Sequence, residues 1–85
     1  MVSVTTRSQT IVSNTTLMPE GFGGYYARNN GTGKVIVDGY VLEPGAYLDF
    51  SSMAANMVWN SPIVIVCENG GELRITRFMY ATDNK

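Results

Sequence analysis

The side chains able to do chemistry in this chain are few: five carboxylates between Asp38 and Glu72, four arginines, two lysines and a single cysteine, with no histidine. Cysteine, serine and threonine are nucleophiles only when a base stands beside them. Without histidine that base would have to be Lys34, Lys85 or a carboxylate, and the usual proton shuttle and commonest metal ligand are missing. Cys67 closes the apolar run Ile63–Cys67 and reads as a small core hydrophobe. It has no second cysteine to bridge to and no Cys/His cluster to form a zinc site.

Paired carboxylates can work as acid and base on a sugar. Here Asp38 is accounted for by a turn, and Glu43, Glu68 and Glu72 flank turns. Asp49 alone sits mid-strand, where Arg74 or Arg77 across the sheet would pair with it. Gly31-Thr32-Gly33-Lys34 matches part of a phosphate-binding loop. Val35 stands where that loop requires Ser or Thr, and a strand follows where it requires a helix. The expectation is a protein that is not an enzyme, with no catalytic, cofactor-binding or metal-ligating residue.

What remains is contact chemistry. Tyr25, Tyr26, Tyr40, Tyr47, Trp59 and Tyr80, together with the arginines, are the residue types that anchor interfaces. Adjacent Tyr25 and Tyr26 must point to opposite faces of a strand, so one stands outside the core. Trp59 either caps the core or faces a partner. Arg74 and Arg77 project to opposite faces of the last strand, and one of them is an expected contact between subunits. The partner-contact candidates are Arg7, Ile11, Val12, Leu17, Tyr25, Tyr26, Trp59 and Arg77. Aromatics beside Asn and Asp also stack on sugar rings, which keeps a carbohydrate-binding reading open.

Positioning these residues falls to short extended segments punctuated by turns. Asp38-Gly39 separates Lys34–Val37 from Tyr40–Leu42, and an Asp-Gly pair tolerates the positive φ of a type I′ hairpin turn. Pro44-Gly45 has the residues of a type II turn, and Asn69-Gly70-Gly71 turns the chain before Glu72–Tyr80. Between them Ala46, Leu48 and Phe50 alternate with Tyr47, Asp49 and Ser51. Ile63–Cys67 is continuously apolar, which predicts a strand covered on both faces. Leu73, Ile75 and Met79 are expected to face inward. Residues 52–59 hold at most one helical turn. The fold expected is all-β, a small antiparallel sandwich or barrel of six to seven strands. An extended N-terminal arm or edge strand would occupy residues 1–18, ahead of a single β domain over 19–85.

Composition bounds the rest. A chain of 85 residues is one domain with a thin stability margin. With no disulfide or metal available, oligomerisation or docking is the remaining support. Six basic residues against seven acidic ones leave no basic stripe for nucleic acid. No signal peptide or membrane span is visible, so the two Asn-x-Thr sequons at Asn14 and Asn30 read as chance matches. Charged residues make up only 15%, replaced by Asn, Thr, Ser and Gly, which suits an interface more than a free surface.

The segment from Tyr25 to Tyr80 resembles small structural proteins of tailed bacteriophages. The resemblance rests on Val37-Asp38-Gly39-Tyr40-Val41-Leu42-Glu43-Pro44-Gly45, on Ile63-Val64-Ile65-Val66, and on Gly71-Glu72-Leu73-Arg74-Ile75-Thr76-Arg77. It implies a virion protein of the head, neck or tail, made in the host cytoplasm, foremost a capsid cement or decoration protein. Such a protein carries no cofactor and contacts capsid subunits, often as a homo-oligomer, with a trimer favoured. Residues 1–18 would then strap onto a neighbour by strand addition. Several modest contacts would together hold strongly. The alternative is a carbohydrate- or receptor-binding β module of a phage fibre or tail.

Overall fold

A computed structural model describes residues 2–18, 23–50 and 60–82. They form eight strands: β1 (Val2–Ile11), β2 (Thr15–Leu17), β3 (Gly24–Asn29), β4 (Val35–Val37), β5 (Tyr40–Leu42), β6 (Tyr47–Asp49), β7 (Ile63–Cys67) and β8 (Leu73–Thr82). No helix occurs among the described residues; the helical turn considered for 52–59 lies outside them.

The turns follow their residue types. Asp38 and Gly39 take φ of 48° and 86°, the left-handed pair that a right-twisted hairpin needs. Gly45 has φ 87°, and the Ala46 N–H closes the turn on the Glu43 carbonyl at 2.9 Å. Asn69 and Gly70 repeat the left-handed pair, and the Gly71 N–H donates to the Glu68 carbonyl at 3.0 Å.

These strands assemble into two antiparallel four-stranded sheets. Sheet A has the order β1-β8-β3-β6 and sheet B the order β2-β7-β4-β5. Every connection except the β4–β5 hairpin passes from one sheet to the other. That connectivity is the eight-stranded jelly roll. The inward faces meet in one core of Ile11, Leu17, Tyr25, Ala27, Val35, Val37, Leu42, Ile63, Ile65, Leu73 and Ile75. Ala46, Leu48, Phe50, Cys67 and Met79 pack against it.

One expectation is corrected here and another is narrowed. There are eight strands, not six to seven, and of the two readings of residues 1–18, extended arm or edge strand, the described residues show edge strand. The physical reason lies in Val12–Asn14, which carries the chain from sheet A to sheet B and resets the side-chain parity. The irregular apolar spacing of Ser3–Leu17 is that of two strands in different sheets. Ile11 and Leu17 are both buried in the core, so removing residues 2–17 would strip an edge strand from each sheet.

Along one axis the molecule is drawn out, measuring 49 × 20 × 17 Å. β1 and β8 pair without a bulge from Val2↔Thr82 to Ile11↔Leu73, whereas the β3–β8 ladder stops at Gly24↔Phe78. The last four residues of β8 thus run on with β1 as a two-stranded ribbon.

Candidate binding surfaces

Antiparallel register sorts the side chains of sheet A into rows, because directly opposed residues share a face. One outward row reads Ser8, Thr76, Tyr26, Asp49, and the next reads Thr10, Arg74, Arg28, Tyr47. The Tyr26 and Tyr47 rings stack at 5.6 Å between centroids and 26° between planes. Ser8 and Thr76 share a hydroxyl hydrogen bond of 2.8 Å, and Arg74 Nη1 donates to Thr10 Oγ1 at 3.2 Å. Arg28 and Arg74 face each other directly across the β3–β8 ladder, both exposed. Asp49 lies on β6, with β3 standing between it and Arg74 on β8.

The outward face of sheet B carries different chemistry. Ile36 is flanked in register by Val41 on one side and Val66 on the other, and Val64 stands opposite Thr16. Val41 is 53% exposed and Val64 50%, while Ile36 and Val66 are half-buried. The expectation that Ile63–Cys67 is covered on both faces therefore fails. Ile63 and Ile65 are in the core, but Val64 between them is half exposed and Val66 is only half-buried.

At the end of the sandwich where β1 gives way to β2, the loops 30–34, 43–46 and 68–72 gather around Asn29. This side chain is fully buried, and Nδ2 donates to the carbonyls of Gly33 at 2.7 Å and Leu42 at 2.9 Å. Its Oδ1 accepts from the N–H groups of Gly31 at 2.9 Å and Glu72 at 3.5 Å. One amide thus satisfies backbone groups of three segments, which is how a buried polar residue is accommodated. The loops touch so closely that a Cβ at Gly33 would lie 2.0 Å from the Glu68 carbonyl oxygen. Between them Thr32, Lys34, Glu43, Glu68 and Asn69 line a cleft of about 320 Å³. Its one lysine sits 3.8 Å from Glu43. Among the described residues no group of three or more His, Cys, Asp or Glu is placed to hold a metal.

The residues expected to contact a partner divide sharply. Ile11, Leu17 and Tyr25 are core residues, and Arg77 is 4% exposed. Those four are corrected from surface contacts to internal ones, because each takes the inward parity of its strand. Arg77 follows Leu73 and Ile75 at two-residue spacing, and its Nη2 donates to Gln9 Oε1 at 2.8 Å. It lies between Arg7 and Tyr25 in register. Arg7 and Val12 are exposed, and Tyr26 is half-buried on the outer face of sheet A. Trp59 lies outside the described residues. Burial lifts the Tyr25 phenol to about 12, with the charge of Asp38 and then Tyr40 adding to it. The Cys67 thiol is likewise pushed up by burial, and its Sγ lies 3.7 Å from the Ile11 carbonyl oxygen. A thiol held neutral in this way is a poor nucleophile.

Arg28 on sheet A and Val41 and Val64 on sheet B go unnamed among the contact candidates, whereas Tyr47 and Arg74 are raised only as residue types or as one of a pair. Two-residue parity counted from Ala27, Ile75 and Ile65 would have placed most of them outward. No protein-family model, curated protein or solved structure matches this chain. The class is therefore defined by topology alone: a single antiparallel jelly roll.

Proposed function

We propose that the chain is a non-enzymatic structural protein that works by adhesion, most specifically a capsid cement or decoration protein of a tailed bacteriophage. The observation that carries this reading is the aliphatic outer face of sheet B. Val41, Ile36 and Val66 form an unbroken row across three strands, with Val64 beside it. Apolar surface gathered on one face, in a chain with few charges elsewhere, gains free energy when another surface removes it from water. The ten-residue strand β1, at the edge of sheet A among the described residues, adds a second means of attachment. An edge strand of this kind can pair with a strand of a neighbour. The phage assignment itself rests on the sequence resemblance, and the trimer on that resemblance too.

The test joins mass in solution with binding to the shell. Light scattering over a concentration series should give a homo-oligomer, and the protein should co-sediment with capsids of its phage. The double variant Val41→Glu, Val64→Glu should remain folded and lose co-sedimentation. A protein that neither self-associates nor co-sediments, or a variant that binds as well as the parent, overturns the reading.

A further inference from the structure

We propose that the outer face of sheet A is a binding site for acidic saccharides. In this site Arg28 and Arg74 hold the anionic group and Tyr47 holds the sugar ring. The inference is independent of the adhesion reading, since it concerns the opposite side of the sandwich.

The starting point is a pair of like charges in register. Like charges directly opposed across an antiparallel ladder destabilise it. Arg28 and Arg74 occupy such a pair. The described ion pair, Lys34–Glu43, involves neither of them. Glu72 stands two residues before Arg74, just ahead of β8, and no ion pair joins the two among the described residues. The bond from Arg74 to Thr10 occupies one guanidinium donor and leaves the rest available. A carboxylate or sulfate placed between the two arginines would remove their repulsion. It would also accept charge-assisted bonds from both, the geometry guanidinium groups favour.

The neighbours of this pair specify a sugar. Tyr47 lies directly across from Arg28, one strand further on, and is 59% exposed. Its stack on Tyr26 fixes the ring before any ligand arrives, so little side-chain entropy is lost on binding. A phenol so braced offers an apolar face to the C–H face of a pyranose, releasing water from both. Ser8, Thr10 and Thr76 bring hydroxyls to the same face, matched to sugar hydroxyl groups. Nucleic acid fits less well. A phosphate backbone wants a basic track with many contacts, whereas the cations placed on this face are the single pair Arg28 and Arg74.

The experiment is an amide ¹H–¹⁵N titration of the whole protein. The probes are a galacturonate hexamer and a heparin-derived hexasaccharide, with maltohexaose, inorganic sulfate and a single-stranded DNA hexamer as comparisons. At least one acidic hexasaccharide should saturate signals of Thr10, Arg28, Tyr47 and Arg74, and maltohexaose should move none. The galacturonate and heparin arms separate carboxylate from sulfate recognition. Arg28→Gln and Arg74→Gln should each weaken binding by about tenfold or more, and Tyr47→Ala by about fivefold. The spectrum of each variant reports its folding. Should a Gln variant unfold, Arg28→Lys keeps the charge and still weakens binding, because it loses the paired donor geometry. The proposal is overturned if neither acidic saccharide saturates, or if folded Gln variants bind undiminished. It is equally overturned if sulfate binds as tightly as the saccharides with Tyr47→Ala silent, or if DNA binds more tightly than both.

Discussion

The outside of sheet A carries Ser8, Thr10, Tyr26, Arg28, Arg74 and Thr76, with Phe78 further along β8; the outside of sheet B carries Ile36, Val41, Val64 and Val66, with Thr16 beside Val64. Both sets sit on antiparallel strands whose inward residues join the same core. Packing decides the inward positions, because a misplaced polar group or a cavity there is costly. The outward positions escape that constraint, so their chemistry reflects what they meet. Sheet A carries donors, cations and a braced aromatic pair, suited to a polar ligand. Sheet B carries mainly aliphatic groups, suited to a surface that excludes water.

Three changes would break or sharpen this contrast. The largest effect is expected at Asn29, whose amide ties the loops that join the two sheets. Asn29→Ala leaves the Gly33 and Leu42 carbonyls and the Gly31 N–H without their partner. Thermal or urea unfolding should show a loss of about 3–5 kcal/mol, the sum of several unsatisfied buried groups. A loss under about 1 kcal/mol would mean that the loops are held by other means.

Next comes a parity test within β7. Ile65→Ala removes a core side chain and should cost about 2–4 kcal/mol, whereas Val64→Ala beside it should change stability by less than about 0.5 kcal/mol. Comparable costs in urea titrations of the isolated protein would show that the sheet B face is covered in solution.

The smallest effect concerns Tyr25, which joins the core from sheet A. Its phenol ionises near 10 in the unfolded chain and at about 12 when folded. The folded state therefore prefers the neutral phenol. Its contribution is whole below pH 10 and is lost as pH rises from about 10 to about 12, on the order of 2 kcal/mol in all. Tyr25→Phe should flatten that alkaline decline in a series of unfolding midpoints; an unchanged decline would assign it to other groups.

Much of this framework was legible in the residues. Asp38-Gly39, Pro44-Gly45 and Asn69-Gly70 each became the turn their types demand, because positive φ is accessible to few side chains. Alternation placed Leu48 and Phe50 against the core and Tyr47 and Asp49 outside. Adjacent Tyr25 and Tyr26 took opposite faces as the pleat requires. Three features were not legible. Arg77 looked like a surface charge, yet it continues the inward series of Leu73 and Ile75 and turns its guanidinium to Gln9. The valines of β7 looked doubly buried, yet an apolar run cannot say how many layers cover it. Ser3–Leu17 could be one long strand, two short ones or an arm, and only the pairing shows two strands at the edges of different sheets.

By itself, then, the sequence determined the local geometry: extended segments, their turns and the parity of side chains within each strand. These follow from backbone sterics and two-residue periodicity, which act over a few residues. Tertiary structure decided which strands neighbour one another. Arg28 meets Arg74 and Tyr47, and Ile36 meets Val41 and Val66, only because strands distant in the chain pair in one register. That register is set by the joint burial of both inward faces, a condition that no single segment contains.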